Sequence, residues 1–225
     1  MRSAEALVGT AFVGVLVCLG VLGANPSRAT RITAALEEHY NRVRSLQAQF
    51  IQRYTLGRTT RVESGTVYFQ KPGKMRWEYE SPEEKLFLSD GRYVYLYVPS
   101  EQQVSRSRLG EAGDWRAPFG LLLGRIDFSK LFSRVEIKPI SRPGQATFTQ
   151  LRGLPKSARQ GFAEIWLDVN VRQEVERIEI RQPDGVVMEF HFREWRENLP
   201  LAPDLFRLRV PPGTVKNWVG APLSP

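Results

Sequence analysis

Few residues in this chain combine a reactive type with a spacing that could support covalent chemistry. Its two histidines, His39 and His191, are far apart, and no Gly-x-Ser-x-Gly elbow accompanies them. The single cysteine, Cys18, lies inside an apolar run near the start, which leaves the rest of the chain without thiol or disulfide chemistry. Val17 precedes it where lipidation would need a small residue. No Cys/His cluster has metal-ligand spacing, and no glycine-rich loop opens a helix as a phosphate cradle would. Glu83-Glu84 falls in a turn and reads as a solvated pair. No catalytic residue, metal ligand or cofactor is expected. The residues suit another task. Met75, Trp77 and Tyr79 alternate with Lys74, Arg76, Glu78 and Glu80, so one strand presents three large apolar side chains on one face. A binding protein is favoured over an enzyme.

That strand belongs to an antiparallel meander over residues 65–98. Its turns are Lys71-Pro72-Gly73-Lys74, the looser Ser81-Pro82-Glu83-Glu84, and Asp90-Gly91, which suits a type I′ hairpin. The meander reads as a sheet with one apolar aromatic face and one charged face. Residues 93–98 are apolar on both sides, so both sides are expected to be covered. Before the meander, Thr30 can cap an amphipathic helix carrying Ile32, Ala35, Leu36, His39, Tyr40 and Val43 at three- and four-residue spacing. The period then switches to two at Leu46, Ala48, Phe50, Gln52 and Tyr54, and residues 57–63 read as a polar turn. After a weaker strand over 102–107, residues 117–124 read as a short apolar helix between breakers, either a core plug or a movable lid. Residues 127–132 form a second short helix capped by Asp127. Strands follow over 134–138, 147–151, 162–169, 175–181 and 186–193, with a basic loop over 153–160. A last short strand over 206–210 is stopped by Pro211-Pro212. The fold class is mainly β: about eleven strands in up-and-down order, forming a barrel or strongly curved sheet able to enclose a cavity.

The chain has 225 residues, 42% of them hydrophobic, and a formal charge of +8. Basic residues are interleaved with acidic ones, which points to a diffuse basic surface and away from nucleic acid. Arg2 and an uncharged apolar run over residues 6–24 make an export leader. Ser27-Arg28-Ala29 is the favoured cleavage pattern and Leu22-Gly23-Ala24 the alternative. The run is also just long enough to stay as a membrane anchor. Residues 1–29 are therefore expected to be leader or anchor, and 30–225 one exported domain.

Several motifs occur together in order: Leu46-Gln47-Ala48-Gln49-Phe50 after the helix, Gly65-Thr66-Val67-Tyr68-Phe69, Lys71-Pro72-Gly73-Lys74-Met75-Arg76-Trp77, Ser81-Pro82, Leu88-Ser89-Asp90-Gly91, and Phe206 to Pro212. In this they resemble the periplasmic outer-membrane lipoprotein carrier family, LolA. The resemblance implies an unclosed antiparallel β-barrel with an α-helical lid over an apolar cavity. It implies a chaperone that takes acylated lipoproteins from an inner-membrane ABC transporter and carries them through the periplasm to an outer-membrane acceptor lipoprotein. The protein is expected to work as a monomer. The side chains expected to line the cavity are Phe50, Met75, Trp77, Tyr79 and Phe87, with Leu121 and Leu122 from the short helix. Family members often carry an arginine before the proline of the first long hairpin, where it latches the lid. Lys71 stands there in this chain, either as a latch or as an exposed turn lysine. The alternative reading is a membrane-anchored acceptor or envelope-stress sensor of the same fold that binds lipoprotein or peptide.

Overall fold

In the computed structural model, residues 27–109, 127–138 and 148–218 are described. Helix α1 (Arg28–Arg42) leads into two meanders. The first comprises β1 (Ser45–Leu56), β2 (Thr59–Gln70), β3 (Lys74–Ser81), β4 (Lys85–Asp90), β5 (Tyr93–Val98) and β6 (Gln103–Arg108). The second follows a one-turn helix α2 (Phe128–Leu131), and comprises β7 (Phe132–Lys138), β8 (Thr149–Pro155), β9 (Glu164–Val169), β10 (Val175–Arg181) and β11 (Val187–Glu197). A short β12 (Val215–Trp218) comes last. All join one curved sheet in the order β12-β6-β5-β4-β3-β2-β1-β11-β10-β9-β8-β7. β1 and β11 weld the meanders together, with Phe50 opposite Phe192. The edge strands β7 and β12 do not pair, so the barrel stays open.

The concave face carries the core. Leu46, Ala48 and Phe50 of β1, Val67 and Phe69 of β2, and Met75 and Trp77 of β3 are each at most 2% exposed. Ile165, Leu167, Ile178, Ile180, Phe190 and Phe192 continue the layer on the other meander. Gly65 sits between Phe50 and Tyr79 in the ladder. A Cβ there would come within 1.8 Å of the Glu78 carbonyl oxygen, so only glycine allows the strands to approach where the sheet bends.

Several local expectations need correction. The cap of α1 is Ser27, whose Oγ accepts from the Thr30 backbone N–H, so the helix starts before Thr30. Residues 59–63 belong to β2, because β1 pairs with them as far as Leu56–Thr59, and only a tight turn remains. Residues 153–155 extend β8. At the Asp90-Gly91 hairpin, Gly91 alone takes a positive φ of 94°, whereas a type I′ turn needs two such residues. Residues 206–210 are not the expected strand: residues 203–206 form a 3₁₀ turn, and the closing strand is β12, which runs parallel to β6. The convex face of the first meander is not simply wet. Leu88 and Val104 are fully buried on it, and Phe206 is 2% exposed. The 203–206 turn packs on β3 and β4, with Arg76 Nη1 donating to the Leu205 carbonyl (3.1 Å). On β5 the expected covering of both faces fails at Leu96, which is 40% exposed.

Candidate functional site

The two ends of the concave face differ. Helix α1 closes one end with its apolar stripe, placing Leu36 and Tyr40 in the core beside Val43. Polar contacts hold it there. Tyr40 Oη accepts from the Val175 N–H (2.8 Å), and His39 Nε2 lies 2.7 Å from Glu197 Oε1. Glu37 Oε1 accepts from the Phe128 N–H (2.6 Å), which ties α1 to the start of α2. Lys71 Nζ donates to the Tyr40 carbonyl, one of the last carbonyls of α1 without a helical partner. Desolvation at this half-buried position lowers the Lys71 pKa.

The middle is solid aromatic packing. Trp77 meets Phe50, Phe69 and Phe190 at ring-centroid distances of 4.8, 5.7 and 5.5 Å, all near edge-to-face. Phe50 also meets Tyr79 at 5.0 Å.

Toward the other end the sheet opens into a cavity of about 490 Å³. Tyr54, Tyr79, Phe87, Val94, Leu96 and Met188 give it apolar walls. A polar corner adjoins them. Tyr79 Oη donates to Gln52 Oε1 (2.8 Å), and Lys85 Nζ sits 4.2 Å above the Tyr79 ring and 2.6 Å from Glu63 Oε1. Glu63 is 5% exposed, and Arg61 lies 2.7 Å from the same oxygen, so the buried carboxylate has two cationic partners. Burial raises the Tyr79 pKa, which keeps its hydroxyl a hydrogen-bond donor.

The structure thus separates the residues proposed from sequence. Tyr79 and Phe87 stand in the cavity wall. Phe50, Met75 and Trp77 form the packed layer, and their side chains are already filled against one another and against β11. Leu121, Leu122 and the short apolar helix over 117–124 lie outside the described residues. Lys71 lies away from the cavity and bonds α1. Val94, Leu96 and Met188 were not singled out from sequence. The first two were within reach: the hairpin at Gly91 pairs Ser89 with Val94 and Phe87 with Leu96, so both share the Phe87 face. Met188 reaches the site through its pairing with Tyr54, which no local signal announces. The two histidines hold carboxylates: His39 that of Glu197, His191 that of Glu189. Among the described residues no cluster of His, Cys, Asp and Glu could hold a metal ion.

The curved, unclosed antiparallel sheet matches what the sequence motifs led one to expect, whereas α1 closes the end away from the cavity and the expected lid helix lies outside the described residues. The family model described as outer membrane lipoprotein carrier protein LolA matches residues 41–209. The chain belongs to the LolA family. An outer-membrane lipoprotein carrier protein of Nitrosospira multiformis is 29% identical over 196 residues, covering 86% of this chain and 91% of that protein. One from Cupriavidus taiwanensis is 32% identical over 187 residues, covering 80% and 85%. Among solved structures, an uncharacterized conserved protein from Thermus thermophilus superposes with a TM-score of 0.55 at 15% identity. It covers 86% of this chain and all (100%) of that one, and this likeness concerns the fold alone.

Proposed function

We propose that this protein is a periplasmic lipoprotein carrier that holds the acyl chains of its cargo in the cavity walled by Tyr79, Phe87, Val94, Leu96 and Met188. The observation that carries the reading is the cavity itself. At about 490 Å³ it falls within the ~300–1,000 Å³ of small-ligand sites. Its walls are mainly apolar, and among the described residues they offer no nucleophile paired with a base. Each acyl CH₂ withdrawn from water gains about 0.8 kcal/mol, so an acylated protein does not leave a membrane unaided at a useful rate. A carrier must therefore bind hydrocarbon without covalent chemistry and release it again. Tyrosine, leucine and methionine side chains offer an adaptable apolar surface of that kind. On this reading the cargo comes from an inner-membrane ABC transporter and passes to an outer-membrane acceptor. The family match and the carriers among the relatives support the carrier role.

The leader over residues 1–29 would direct export. Cleavage after Ala24 leaves the Ser27 cap on the mature chain, whereas cleavage after Ala29 removes the cap with the first two residues of α1. Native mass spectrometry of the protein purified from the periplasm tests both matters. The expected result is a mature chain lacking the apolar run, with co-purifying diacyl or triacyl species that delipidation removes. A chain that retains the run would support the anchored acceptor instead. A chain that takes up no lipopeptide after delipidation would overturn the carrier reading.

A further inference from the structure

Many of the described arginines face a carboxylate: Arg53, Arg61, Arg76, Arg134, Arg152, Arg177 and Arg181 all form ion pairs. The edge built by β5, β6 and β12 is different. Arg92, Arg106, Arg108 and Lys216 cluster there, and among the described residues none of them has an ion-pair partner. The cross-strand register sets Arg108 beside Tyr93, Arg106 beside Tyr95, and Trp218 beside Arg106, all on the convex face. The Arg106 guanidinium lies 4.5 Å from the Tyr93 ring and 4.5 Å from the Trp218 ring, and Arg92 lies 5.1 Å from Tyr93. The hairpin carboxylate, Asp90, is already engaged by the Arg92 and Tyr93 N–H groups and the Tyr95 hydroxyl. Beside this cluster Val215, at the start of β12, is 54% and Trp218 37% exposed.

We propose that this edge is a docking surface for an anionic phospholipid bilayer. Cations without ion-pair partners, an indole and a phenol beside the exposed Val215 match the headgroup level of a membrane, where tryptophan and tyrosine settle and basic residues meet lipid phosphates. An acidic protein surface would use the cations but has less need of the apolar fringe. The cavity lies on the opposite, concave face of the same strands, with Leu96 of β5 in its wall.

Vesicle flotation of the mature protein without cargo tests the surface independently of what the cavity holds. Phosphatidylglycerol-containing vesicles should bind and pure phosphatidylcholine vesicles should not. Salt at about 1 M, where the screening length is ~3 Å, should release the protein. Replacing Arg92, Arg108 and Lys216 together by glutamine should weaken binding about a hundredfold. Arg108→Lys should bind as the parent does, and circular dichroism should show both variants folded. Should the triple variant misfold, Trp218→Ala provides a second arm, with weaker binding expected. Absence of binding to anionic vesicles, or equal binding by a folded triple variant, would overturn the proposal. Binding only to membranes that retain their proteins would also overturn it and assign the surface to a protein partner.

Discussion

Glu189 lies on the convex side of the sheet, where strands β7 to β11 carry a ladder of charges. Its carboxylate meets His191, lies 2.9 Å from Arg177 and 3.1 Å from Arg53. The hydrogen bond from His191, opposed by burial and supported by the Arg177 charge, holds its pKa down from the ordinary 4.5 to about 2. A carboxyl whose pKa is depressed on folding contributes stability that is fully present above its unfolded value and is lost as pH falls through its folded value. Stability from urea melts should therefore decline between pH 4.5 and about 2. Glu189→Gln should flatten that decline. At pH 7 it should cost about 1–3 kcal/mol, since Arg177, only 4% exposed, loses one of its acceptors. A variant that keeps the parental acid profile would remove Glu189 from this role. The charge alternation of this strand was visible in the sequence, but its partners were not. Arg53 lies on β1, and only the β1–β11 pairing brings it to Glu189.

At the scale of elements, the strands that bury one face were legible because burial imposes alternation. β3 shows this plainly, with Met75, Trp77 and Tyr79 inward. The elements that sequence reasoning missed lack that constraint. Residues 59–62 of β2 are exposed, so no apolar period marks them as strand. β12 is exposed at all four positions and is held by its backbone pairing and the Trp218–Arg106 stack. Helix α1 was found from its period, yet its attachment needed the structure. Lys71 reaches the helix C-terminus, where a cation favours the helix dipole and satisfies a free carbonyl. Lys71→Met should cost about 0.5–1.5 kcal/mol and should speed amide exchange in the last turn of α1 more than in β10. Lys71→Arg should restore protection. Exchange unchanged in the methionine variant would make Lys71 an ordinary turn lysine.

For the molecule as a whole, the central division is between the part of the concave face that is filled and the part that is open. Both are apolar in the sequence, and strand alternation alone cannot tell them apart. What separates them is the ring of contacts around Trp77, supplied by Phe190 from a distant strand and by Phe50. It leaves no space there, while Leu96 faces the cavity with 40% of its surface exposed. The two positions should respond oppositely to substitution. Trp77→Ala removes a buried ring from a packed layer and should cost about 3–5 kcal/mol. Leu96→Trp adds volume where there is room, so the melting temperature should stay near that of the parent. Its indole would occupy cavity space that an acyl chain would otherwise fill. Lipopeptide binding, measured by titration calorimetry on delipidated protein, should fall about tenfold, equivalent to ~1.4 kcal/mol. A stable Leu96→Trp protein that binds lipopeptide as tightly as the parent would place the acyl chains elsewhere on the molecule. A destabilised one would show that the open end is packed more tightly than its cavity indicates.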